Sequence, residues 1–121
     1  MMYQKALCFE DHGCAAKILA TSDVGDIKAL GRSVQNYNET IWNGLRQIIV
    51  YKGLTQKFKQ NEELKNLLLS TGTSILAETA VKDTIWGIGL SMQDENRFNI
   101  YKWRGQNLLG FALMEVRDEL S

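Results

Sequence analysis

A carboxylate, an indole and two glycines share one short stretch, Asp83-x-x-Trp86-Gly87-x-Gly89, and a carboxamide follows at Asn107. These residue types commonly build a sugar or nucleotide site. The glycines let backbone approach a ligand closely. The indole gives a stacking wall, and the carboxylate binds ribose hydroxyls or stabilises a developing cation. The same residues also have a structural reading: Asp83 caps a turn, Trp86 fills a core, and the glycines permit positive φ. Asn107 stands just before the last helix, as an N-cap or as a ligand contact. The two roles can coexist, because helix N-termini bind phosphate through free N–H groups. Gly31-Arg32 reads as a glycine helix end with a solvated arginine, or as an arginine fork for phosphate. Lys5 and His12 read as surface groups, and Cys8 and Cys14 as small buried apolar groups.

The elements that must position these residues are helices. The spacing predicts a first helix over residues 2–11, without an N-cap, burying Tyr3, Ala6, Leu7 and Phe9. Gly13 reads as a break. A short helix follows over 14–20 with Ala15, Ile18 and Leu19 apolar, then one over 24–33 capped by Ser22 or Asp23, with Ile27, Leu30 and Val34 inward. The clearest helix spans 39–59 after the N-cap Asn38. Its stripe of Ile41, Trp42, Leu45, Ile48, Ile49 and Phe58 faces a core, and Gly53 weakens its middle. Asn61 caps a helix over 62–71 that buries Leu64, Leu67 and Leu68 and stops at Gly72. Residues 74–79 read as the one short strand, and 80–102 as irregular, with 91–99 a solvated loop. A last helix covers 106–120.

Composition bounds the function. The chain has 121 residues, enough for one domain, with 14 basic residues balancing 14 acidic ones. Neutrality argues against a life on a nucleic-acid backbone. No apolar run is long enough to span a membrane. Lys5, Glu10 and Asp11 interrupt any signal-peptide core, so the expected location is the reducing cytoplasm. Two cysteines and one histidine are too few for a zinc site.

Several pieces, in order, resemble one family. They are Gln4-Lys5-Ala6, Leu30-Gly31-Arg32, Trp42, Lys57-Phe58, Asn61-x-x-Leu64, Leu67-Leu68-Leu69-x-Thr71-Gly72 and Leu76-Ala77-Glu78. They continue with Asp83-x-x-Trp86-Gly87-x-Gly89, Gly105-x-Asn107-x-Leu109-Gly110 and Leu113-Met114-x-Val116-Arg117. Together they resemble the YbiA-like, or NADAR, proteins over essentially the whole chain. The resemblance implies a mainly α, single-domain multihelical fold over 1–121, with at most one or two short strands.

It also implies hydrolysis of an N-glycosidic bond, in a phosphoribosylamino-pyrimidine of riboflavin synthesis or in an ADP-ribosyl compound. The alternatives are a non-catalytic binder of ADP-ribose or a related nucleotide, and a helical interaction domain. By resemblance, Asp83 is catalytic. Lys5 and Arg32 meet phosphate. Trp86, Gly87 and Gly89 form the wall and floor of a sugar site, and Asn107 orients the substrate. Glu78 matches a family position, with a buried structural bond as its other reading. No metal and no cofactor are implied. The partner is a small phosphoribosyl or ADP-ribosyl substrate, with ADP-ribosylated nucleic acid as an extension, and no membrane. Relatives carry Ser-Glu-His two helical turns before the lysine that matches Lys5, which places it upstream of Met1. The resemblance implies either a start placed at an internal Met-Met or a chain that has lost its main carboxylate. The expectation is a domain truncated at its N-terminus relative to the family and weak in catalysis without that glutamate.

Overall fold

The computed structural model describes residues 1–121. It contains six α-helices, two short 3-10 turns and no β-strand. The chain divides into two compact units, Met1–Ile49 and Val50–Ser121, with the division inside the longest helix. No helix is long and apolar enough to cross a membrane.

The first unit holds α1 (Met2–Cys8), α2 (His12–Leu19), α3 (Val24–Arg32) and the start of α4 (Glu39–Lys59). Its core comprises Ala6, Phe9, Cys14, Ala15, Ile18, Val34 and Trp42. Gly31 on α3 is buried against α1, where a side chain would run into Met2. The first helix ends earlier than its apolar spacing predicts. Glu10 adopts φ 57°, and the Glu10 and Asp11 N–H groups donate to Leu7 and Ala6 carbonyls at 3.1 and 2.9 Å. That is a Schellman termination with glutamate in the left-handed position. Gly13, expected as the break, lies inside α2, because Asp11 caps that helix by accepting from the Cys14 N–H at 3.1 Å.

The second unit holds the rest of α4, α5 (Glu62–Ser70), the 3-10 turns η1 (Glu95–Phe98) and η2 (Ile100–Lys102), and α6 (Leu108–Leu120). Helices α5 and α6 pack together. Leu68, Ile88, Leu90 and Val116 are buried here. Asn61 caps α5 through the Leu64 N–H at 3.2 Å, and Gly72, at φ 60°, follows its end. Helix α4 runs unbroken through Gly53.

Two expectations need correction. The stripe on α4 is only partly inward: Trp42 is buried, whereas Ile41, Leu45 and Ile48 are exposed. The exposed three lie on one side of the stripe and Trp42 on the other, and Leu19 on α2 and Leu67 on α5 are exposed as well. Residues 74–79 form no strand. A strand needs a neighbouring backbone to pair with. Here the Leu76 carbonyl and the Glu78 N–H bond instead to the two ends of the Asn107 side-chain amide.

Candidate active site

The second unit gathers the chemistry-bearing residues of the C-terminal region. Asp83 opens a tight turn: its Oδ1 accepts from the backbone N–H groups of Ile85 at 3.0 Å and Trp86 at 2.8 Å. Both bonds fall on one oxygen, so Oδ2 is the oxygen left for solvent or a ligand. Asp83 and Trp86 are both half-buried.

Beyond the turn, segment 84–88 pairs with segment 104–109 through backbone bonds. The N–H groups of Arg104, Gln106 and Asn107 donate to the carbonyls of Ile88, Thr84 and Gly87 at 2.8, 2.8 and 3.0 Å. Those of Leu108 and Leu109 donate to Ile85 and Trp86 at 3.1 Å each. The start of α6 is thus capped by loop carbonyls. These two donors are therefore engaged by the loop.

The glycines allow this close approach. A Cβ on Gly87 would lie 2.9 Å from the Asp83 carbonyl oxygen and 3.0 Å from that of Glu78. Gly89 has φ 72°, and its Cβ would meet that of Arg104 at 3.0 Å. Gly105, which the sequence reading did not single out for the site, is as constrained, since a side chain there would overlap the Gly87 carbonyl. The signal was its place two residues before Asn107.

Asn107 braces the arrangement. It is 0% exposed and left-handed at φ 53°. Its Oδ1 accepts from the Glu78 N–H at 2.9 Å, and its Nδ2 donates to the Leu76 carbonyl at 2.8 Å. Its side chain does not cap α6. Glu78 is a correction of a smaller kind. Its side chain is exposed, and its structural bonds come from its backbone, with the carbonyl accepting from the Ile88 N–H at 2.9 Å.

Lys5 and Arg32 belong to the first unit. The Lys5 ammonium sits 4.5 Å from the Tyr37 ring centroid and 5.8 Å from that of Trp42. Phe9 meets Tyr37 edge-on at 5.4 Å. Burial pulls the Lys5 pKa below its ordinary value, and the Cys14 thiol opposes that shift. Arg32 is exposed in the last turn of α3, where a cation complements the helix dipole. Cys8 and Cys14 are free thiols. Cys14 is buried and Cys8 only half-buried.

Sequence comparison gives this geometry its relatives. The pattern of the NADAR domain matches residues 1–121. The chain belongs to the NADAR domain family. Among NADAR relatives, a mimivirus protein (Acanthamoeba polyphaga mimivirus) named as an N-glycosidase is 44% identical over 119 residues, 98% of this chain and 70% of that protein. A riboflavin biosynthesis protein of Vibrio vulnificus is 32% identical over 98% of this chain and 29% of its own length. The N-glycosidase YbiA of Escherichia coli is 29% identical, again over 98% of this chain and 68% of its own length. The NADAR match therefore places this chain in a family with N-glycosidase members.

Proposed function

We propose that this NADAR chain hydrolyses the N-glycosidic bond of a phosphoribosylamino-pyrimidine or an ADP-ribosyl compound. The observation that carries the reading is the 44% identity with a protein named as an N-glycosidase, extending over 98% of the chain. The riboflavin-related name of the Vibrio relative supports the phosphoribosylamino-pyrimidine arm.

The chemistry follows from the bond. The electron pair joining C1′ to the base nitrogen leaves with the nitrogen, and the ribosyl carbon acquires oxocarbenium character. Water adds to C1′ and gives up a proton. A carboxylate held close to C1′ stabilises the cation or takes that proton. Asp83 suits the task because two backbone N–H groups fix its Oδ1 and with it the direction of Oδ2. Trp86, Gly87 and Gly89 form the proposed wall and floor of the sugar site. Asn107 orients the substrate indirectly, through the backbone it braces. Lys5 and Arg32 are the proposed phosphate-binding cations of the first unit.

Asp83→Asn tests the assignment cleanly, since the carboxamide keeps the Oδ1 acceptor of the turn and loses only the charge. Hydrolysis of both substrates is expected to fall by about 10²–10³ while the melting temperature holds. Wild-type turnover by the variant would remove Asp83 from the mechanism. ADP-ribose binding by the wild type, with no turnover of either substrate, would leave a nucleotide binder in place of a hydrolase.

A further inference from the structure

A cavity of about 290 Å³ opens in the Val50–Ser121 unit between the end of α4, helices α5 and α6 and the 76–78 segment. Its lining shares no residue with the Asp83 turn or the Trp86–Gly89 loop. Leu64, Leu67 and Leu68 line it at helical spacing on α5, and Phe58 and Leu113 add to the apolar walls. Glu78 is its one charged or polar lining side chain. The volume lies just under the usual small-molecule range of about 300–1,000 Å³, which suits a ligand of one ring or a short alkyl chain.

The carboxylate stands on fixed backbone. The Glu78 N–H donates to Asn107 Oδ1, and the Glu78 carbonyl accepts from the Ile88 N–H, each at 2.9 Å. Gly110 lets α6 close on the same segment, because a side chain there would overlap the Leu76 carbonyl. The wall that carries Glu78 is thus formed before any ligand arrives. No lining side chain donates a hydrogen bond. A phosphate would therefore meet apolar walls and a like charge, so the phosphorylated substrates of the proposed hydrolysis do not suit this cavity. A cation with an apolar body does. Its body leaves water for the leucine walls, and its charge faces a carboxylate that is exposed and needs no desolvation in advance.

We propose that this cavity binds a small primary ammonium carrying one aryl or short alkyl group, with the apolar part among Phe58, Leu64 and Leu113 and the ammonium at the Glu78 carboxylate. Such binding involves neither Asp83 nor turnover, so it stands or falls apart from the hydrolytic reading.

The test is an NMR titration with phenethylamine that follows the leucine methyl signals. Leu67→Met identifies those of Leu67, a lining residue that is 65% exposed and can be replaced without loss of the fold. Two ligands of similar shape, 2-phenylethanol and 3-phenylpropionate, are the neutral and anionic counterparts. Phenethylammonium should move the Leu67 signals saturably. It should bind about two- to fivefold more tightly than the alcohol, as one exposed ion pair allows, and the anion should bind most weakly. Glu78→Gln should bring the Kd of the cation to that of the alcohol and leave alcohol binding unchanged. Unmoved Leu67 signals overturn the proposal. So does an alcohol or an anion that binds as tightly as the cation, or a cation preference that survives Glu78→Gln. Leucine shifts that follow protein concentration without ligand would be equally fatal, because a second copy of the chain would then cover the cavity.

Discussion

At the scale of single residues, the Asn107 amide bonds to Leu76 and Glu78, 31 and 29 residues upstream of it, in the absence of any sheet. Asn107→Ala would leave an N–H and a carbonyl unpaired, at about 1–3 kcal/mol each. It would also put alanine at φ 53°, a conformation asparagine tolerates better. The expected loss is about 2–5 kcal/mol in urea denaturation. A loss under about 1 kcal/mol would show that the brace is not needed. This residue also marks how far the site could be read from sequence. The Asp83 turn and the spacing of Gly87 and Gly89 announced a glycine-dependent loop. The actual role of Asn107 did not show, because its partners lie far upstream and a left-handed φ leaves no trace in residue spacing. The Glu78 cavity was hidden for a related reason: its walls come from positions as far apart as Phe58 and Leu113, and only the fold brings them to one carboxylate.

Elements were more legible. The 39–59 helix, the Asn61 cap and the Asp23 alternative for α3 follow from N-cap chemistry that acts within a few residues. The failures share one cause, long-range partners. Residues 74–79 have strand composition but find a side chain to bond with, and the outer α4 residues have helical spacing but stay partly exposed. Two helix substitutions should therefore raise stability. Gly53 lies inside α4, and a Cβ there would meet nothing within 4 Å. Gly53→Ala should gain about 1 kcal/mol from helix propensity alone. Glu10→Gly relieves the left-handed strain at the end of α1, about 1–2 kcal/mol, against roughly 0.5–1 kcal/mol of added chain entropy. The net expectation is a smaller gain of about 0.5–1 kcal/mol. Thermal melts of both variants check these signs, and a lower melting temperature for Gly53→Ala would mean that the helix is locally bent or packed at that position.

Across the whole molecule the formal charge is zero, with 14 groups of each sign, so pH dependence should come from individual sites more than from general repulsion. Two shifted groups lie in the first unit. The Gln35 N–H at 2.9 Å, and then the Cys14 N–H, hold the Asp11 carboxyl below its ordinary value of 3.8. The unfolded chain therefore takes up this proton first as the solution is acidified. The stabilisation from Asp11 is complete above pH 3.8 and is lost as pH falls through its folded pKa. Lys5 is shifted downward from 10.5 by burial. Between its folded pKa and 10.5 the unfolded chain again holds more protons, so stability rises with pH through that alkaline window as the buried ammonium is relieved of its charge. Single substitutions separate the two effects. Asp11→Asn keeps an Oδ1 acceptor for Cys14 but has no second oxygen for Gln35, so its acid loss should be shallower than that of the wild type. Lys5→Met should flatten the alkaline rise and leave the acid limb unchanged. Urea denaturation of the three proteins from acid to alkaline pH provides the comparison. If Asp11→Asn retains the full wild-type acid limb, other carboxylates govern it, and the Asp11 link between α2 and the Gln35 backbone carries little of the pH dependence.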